Sequence, residues 1–289
     1  MSQAPSVEPR ALTTSTRRAD LDREPCAGRT RWRETLHAEW TKLRTLPGTI
    51  WLVLAITVLT LAVSAAASSS VTCPTVDCNQ DPGKISLAGV ELGQAVAAIL
   101  AVLAVSGEYS TGMIRVTFTA MPRRTTVLAA KAALVSGFTL IAGSVAVLGS
   151  VLVARLVMPG HGFTAAHGYR LLSPTDGAVL RAAAGSVLYL ALIALLSLGI
   201  AALVRDSAVA IGLVLGLLYL SPIIAGVVTD PHWHSRIERY APMSAGLAIQ
   251  ATRNLAALPI GPWGGLGVLA AWAAAALLTG GAVLRLRDA

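Results

Sequence analysis

Six long apolar stretches interrupt an otherwise polar chain, at 48–68, 87–106, 132–154, 182–204, 208–228 and 263–284. Each holds about 20 residues, which a helix rising about 1.5 Å per residue needs to cross roughly 30 Å of hydrocarbon. None alternates apolar and polar residues as a barrel strand does, and in lipid a helix is then the form that closes every backbone hydrogen bond within the segment. The pattern predicts an all-α integral membrane protein with six transmembrane helices over 48–289.

Ahead of the first span the pattern changes twice. Residues 1–30 are rich in Ser, Thr, Pro and Arg with no apolar period, and are expected to form a disordered tail. Over 31–47, Trp32, Leu36, Trp40 and Leu43 fall within about 80° of arc at 100° per residue, while Arg33, His37, Thr41 and Arg44 point elsewhere. An amphipathic helix with Trp on its apolar side and basic residues around it is expected to lie in the membrane interface. An ordinary basic flank is the other reading these residues allow by themselves.

Composition agrees with a membrane chain: 54% hydrophobic, 13% charged and a mean hydropathy of +0.65, against roughly a quarter charged in soluble domains. The net charge of +8 acts chiefly as an orientation signal. With both ends inside, 16 of the 23 Lys and Arg residues fall on the cytosolic side and seven outside, the bias expected of a chain with N-in, C-in topology. That assignment removes most of the weight from nucleic-acid binding as an explanation of the basic pI. The first apolar run begins only at Gly48, after an Arg-rich stretch, so a cleaved signal peptide is not expected. Arg outnumbers Lys and Ala is abundant, a composition typical of a GC-rich bacterial genome.

Three loops then lie outside. The first carries Cys73 and Cys78, with four residues between them in an oxidising compartment, and a disulfide is expected there, with Cys26 in the cytosolic tail left reduced. Four of the five histidines, His161, His167, His232 and His234, are external, but nothing in their spacing makes them converge as zinc ligands, and no metal is expected. The third loop, 229–262, is the longest, and 243–258 within it is expected to form one or two short helices at or dipping into the outer surface. Glu91 is the one carboxylate within the apolar spans, with Gln94 three residues on along the same helical face. Ionisable groups at membrane depth are commonly functional, so the two are candidates for a translocation path. A hydrated carboxylate close to the outer end of the span is the plainer reading. In the fifth span Pro222 is expected to bend the helix, and Gly212 and Gly216 stand at the spacing that permits close helix approach.

Catalytic motifs are missing from the sequence. Lys42, Lys84 and Lys131 are the only lysines, and none follows the glycines of a phosphate-binding loop, so any ATP hydrolysis by that mechanism belongs to another polypeptide. There is no HExxH and no GxSxG. No cofactor is expected.

The segment after the second span is the most informative. Gly107-Glu108-Tyr109-Ser110-Thr111-Gly112-Met113-Ile114-Arg115 leads through Met121-Pro122-Arg123-Arg124 to Lys131, far more than a turn requires. Together with the leader Ala38-Glu39-Trp40-Thr41-Lys42-Leu43-Arg44 and Arg239-Tyr240-Ala241-Pro242 before the last span, it resembles the ABC-2 family of transporter membrane subunits from about Arg31 onward. Met113 stands where family members often carry Thr. The resemblance implies a permease subunit of a bacterial cell membrane, more often an exporter, that pairs with itself or a similar chain and docks cytosolic ABC ATPase subunits. It implies that the leader and the segment holding Glu108, Tyr109, Gly112, Arg115, Arg123 and Arg124 form the surface on which the ATPase acts. Taken alone, Glu108 could be a helix cap and Arg115 a headgroup anchor. A polytopic membrane enzyme and a subunit of an envelope-sensing complex are the alternatives. The transported substrate is not legible.

Overall fold

The computed structural model describes residues 24–45, 47–73, 78–110, 124–169, 171–173 and 175–286. Among these residues ten α-helices follow in order: α1 Glu24–Thr45, α2 Pro47–Ser70, α3 Pro82–Ser86, α4 Val90–Ser110, α5 Arg124–Val157, α6 Gly177–Val204, α7 Ser207–Val227, α8 Pro231–Tyr240, α9 Pro242–Leu247 and α10 Pro262–Leu286. Among the described residues there is no strand. Six of the helices, α2, α4, α5, α6, α7 and α10, are long and apolar enough to cross a membrane, and each overlaps one predicted span. Because six is even, α1 and the end of α10 lie on the same side of the bundle; the described residues of the connections 71–89, 158–176 and 228–261 lie at the opposite, loop end.

Local signals set several helix starts. Asp81, Asp176, Asp206 and Asp230 each precede a helix and accept a backbone N–H of its first turn, with Pro82 and Pro231 at the first helical position of α3 and α8. A side-chain cap of this kind satisfies one of the helix's otherwise orphaned donors. Between α6 and α7 only Arg205 and Asp206 intervene, and Arg205 adopts the left-handed conformation, φ 64°.

Burial ranks the spans. The most apolar window of α6 is 72% buried, against 17% in α2 and 22% in α7, so α6 is the central helix, packed on α10, α4, α5 and α7. Small residues let the neighbours close in. A Cβ on Gly199 of α6 would lie 2.5 Å from the Ala276 carbonyl carbon and 2.6 Å from the Leu277 nitrogen of α10, and one on Gly280 2.7 Å from the Gly199 oxygen. Lipid supplies no hydrophobic drive between helices, and close packing of this sort takes its place. Outward, Ile141, Val145, Leu148, Leu152 and Leu156 of α5 form a continuous exposed apolar stripe, as do Ile50, Leu54 and Val58 of α2. Such stripes suit hydrocarbon and not water.

Gly212 and Gly216 do not serve helix approach within the chain. Both are exposed on α7, with nothing near the position a Cβ would occupy, because α7 turns Ala210, Val214 and Leu218 inward instead.

The loop end is laced together and partly folded inward. Cys73 and Cys78 form a disulfide pair with Cα atoms 5.7 Å apart; Cys73 is fully buried against Met158, Phe163 and Tyr169. The Tyr169 hydroxyl donates to the Cys78 carbonyl, and the Arg253 guanidinium lies 4.7 Å over the Tyr169 ring. Asp81 receives the backbone N–H groups of Thr252 (2.6 Å) and Arg253 (3.0 Å), joining the first loop to the third. Within the third loop α8 stays at the surface. In contrast α9 and the turn Ala248–Gln250 dip into the bundle, with Ala245, Ile249 and Gln250 at most 1% exposed. Gly246 fits beneath the Tyr189 ring and Gly185 beneath Ile249, where any larger residue would overlap. The short helices expected over 243–258 thus correspond to α9 and two 3₁₀ turns, while α8 begins before that window.

Candidate functional site at the α1 end and within the α4–α7 face

Helix α1 starts at Glu24, seven residues before the predicted boundary, so the described helix takes in part of the stretch read as tail. The side it turns to the bundle is Thr35, Glu39 and Leu43, at the spacing of one residue per turn. Of the predicted apolar stripe, Leu43 is buried, Trp32 and Leu36 are half-buried, and Trp40 is 42% exposed while stacking on Phe138 of α5 at 5.2 Å and 6°. The stripe and the bundle-facing side therefore coincide only at Leu43. The reason lies in a charge pair that periodicity cannot reveal.

Lys131, in the second turn of α5, places its Nζ 2.7 Å from Glu39 Oε2. The same ammonium donates to the Ala104 carbonyl of α4 at 3.1 Å, and Lys42 approaches Glu39 Oε1 at 3.3 Å. Glu39 is 3% exposed and Lys131 5%. Each charge has strong desolvation to offset, and both together require the close geometry they have. Three helices, α1, α4 and α5, thus meet at one ammonium group. Close by, Ser207 at the start of α7 donates its hydroxyl to Ser106 Oγ of α4 at 2.7 Å, and Ser106 in turn donates to the Val102 carbonyl.

The predicted coupling residues flank this junction in sequence. Glu108 and Tyr109 lie in the last turn of α4 and Arg124 opens α5, described by their backbone alone. Gly112, Arg115 and Arg123 fall outside the described residues. What the structure contributes is that the two helices bounding 111–123 are tied to α1 by the same side chain, Lys131.

Glu91 and Gln94 take contrasting positions. Gln94 is fully buried, accepts from the Tyr189 hydroxyl of α6 and faces Met243 Sδ of α9 at 3.3 Å. Glu91 is exposed, one turn earlier; its carbonyl accepts from the Tyr219 hydroxyl of α7, and its carboxylate has no hydrogen-bond or ion-pair partner among the described residues. The histidines are dispersed: His167 Nδ1 lies 2.7 Å from the Gly162 carbonyl and His234 Nδ1 2.9 Å from that of Ala225. Among the described residues no three His, Cys, Asp or Glu side chains gather as metal ligands.

These helices and their outward apolar stripes define a multi-pass α-helical membrane protein. Compared with known proteins, the chain matches no family model and no curated protein sequence.

Proposed function

We propose that this chain is the permease subunit of an ATP-binding-cassette transporter of the ABC-2 type, an exporter of the bacterial plasma membrane. It works as a homodimer or beside a similar chain, and a separate cytosolic ATPase drives it. The observation that carries this reading is the buried Glu39–Lys131 pair with its Ala104 contact. A leader helix that only anchored a span would need no buried charges; one that must move two spans together needs a rigid attachment to both. Lys131 supplies it, next to the segment in which Glu108, Tyr109, Gly112, Arg115, Arg123 and Arg124 would meet the ATPase. The order of motifs along six spans supports the same reading.

The direct test is co-purification of the tagged chain with an ATPase. Arg115→Glu and Glu108→Lys are expected to abolish transport together with ATPase capture or its stimulation, because losing one partner of an interfacial charge pair costs roughly 2–5 kcal/mol. Expression and membrane insertion stay normal, since neither change lies in hydrocarbon. Unchanged capture and transport in both variants would remove the coupling assignment.

N-in, C-in topology is the orientation proposed with it. In a background free of native cysteines, Ser173→Cys and Ser235→Cys are expected to react with an impermeant thiol reagent on whole cells, and Ser110→Cys to stay unlabelled. The opposite pattern would invert all six spans.

A further inference from the structure

The first turn of α4 is sunk into the bundle. Gly89, just ahead of it, packs directly on the Thr60 carbonyl and donates its N–H to Ser64 Oγ at 3.0 Å. Thr60 lies ten residues before Ser70, the end of α2, which is about 15 Å of helix. On the other side, the Tyr219 hydroxyl reaches the Glu91 carbonyl, and Tyr219 lies eight residues before the end of α7 at Val227, about 12 Å. Glu91 is therefore well below the ends of the helices beside it, although it begins its own helix. There it is exposed, as are its neighbour Leu92 (44%) on α4 and Leu220 (54%), next to Tyr219, on α7. Neither α4 nor α7 contains a Lys or Arg, so no cation on either helix can neutralise it. A carboxylate held at such depth with no ion-pair partner among the described residues is unfavourable unless something polar or cationic covers it.

We propose that Glu91, with Tyr219 beside it and the buried Gln94–Tyr189 pair behind, is a recognition site for an organic cation bearing apolar substituents. The carboxylate supplies the one charge, the Tyr219 ring and hydroxyl a surface that favours cations, and Leu92 and Leu220 apolar contact. A bare metal ion is a poor match, because one carboxylate and one carbonyl provide too few oxygen ligands. Gln94 holds the site's floor through its bonds to Tyr189 and Met243. Where the chain is the permease proposed above, on which this part rests, the site places cationic amphiphiles among its cargo. Binding itself needs no ATPase, so the site and the transporter reading fail separately.

The test uses the full chain in lipid nanodiscs with tetraphenylphosphonium as probe and tetraphenylborate as its anion of the same shape. Tetraphenylphosphonium is expected to bind saturably, and Glu91→Gln to weaken it about tenfold or more, equivalent to about 1.4 kcal/mol, with no weakening for tetraphenylborate. Glu91→Asp, which keeps the charge, is expected to retain more affinity than Glu91→Gln. Absence of saturable binding, equal affinity of wild type and Glu91→Gln, equal losses for both ions, or the reverse order of the two variants would each overturn the site. So would disulfide-linked dimers of Glu91→Cys combined with no probe binding to the wild-type chain, since a second copy would then be what covers this face.

Discussion

Lys131→Met is expected to destabilise the folded chain by roughly 3–5 kcal/mol, the cost of stranding one buried member of an ion pair. The substitution keeps an unbranched apolar stem, in a side chain one atom shorter than lysine's, so little packing is lost. Among the described residues it leaves the Glu39 carboxylate, 3% exposed, with Lys42 at 3.3 Å, whose side chain is 32% exposed, and so the effect belongs at the lower end of that range. The Ala104 carbonyl also loses its donor. Replacing both partners, Glu39→Leu with Lys131→Met, removes the desolvation problem and is expected to recover most of the stability. If that double variant is as stable as wild type but no longer supports transport, the pair serves motion more than folding. Thermal unfolding in detergent reads the first effect, and a single variant melting like wild type would show that the pair is open to water.

Gly199→Ala is expected to lower the melting temperature strongly, whereas Gly212→Ala and Gly216→Ala leave it unchanged. The added methyl at 199 would meet the Ala276 carbonyl carbon and the Leu277 nitrogen at 2.5 and 2.6 Å. These are backbone atoms of α10 and cannot rotate aside as a side chain would, so α6 and α10 must part along their contact. Overpacking of a close-fitted core costs typically 1–3 kcal/mol, and this contact joins the central helix to its principal neighbour. At 212 and 216 a methyl meets nothing within the chain. Equal melting of Gly199→Ala and wild type would mean that the two helices are not in contact at this point.

The spans were legible because burial in lipid demands some twenty apolar residues in a row, a signal that survives without any partner in view. The inward fold of the loop end was less so. Pro242 to Gln250 is short and only moderately apolar, and its burial depends on Gly185 and Gly246 making room, two positions 61 residues apart in the sequence. Asp230 followed by Pro231 was a usable helix-start signal for α8. Glu91 illustrates a different limit: counted along its own helix it is near an end, but the ends of α2 and α7 set its depth, and those come from elsewhere in the chain. At the α1 end, Glu39 and Lys131 both stood within segments singled out by motif. Their pairing over 92 residues follows from packing alone.

Helix α5 is an unbroken run of 34 residues without proline, about 51 Å by helix rise and well beyond the roughly 30 Å of a bilayer's hydrocarbon. Near one end it holds Glu39 through Lys131; just past the other, the carbonyl of His161 accepts from Cys73 at 2.9 Å. It is long enough to act as a lever if it moves as one rigid body. A tilt of about 5° around its middle carries each tip about 2 Å in opposite directions, given that length. A displacement of α1 by the width of a single atom would thus arrive, reversed in sign, at the disulfide-braced cap on the far side of the membrane.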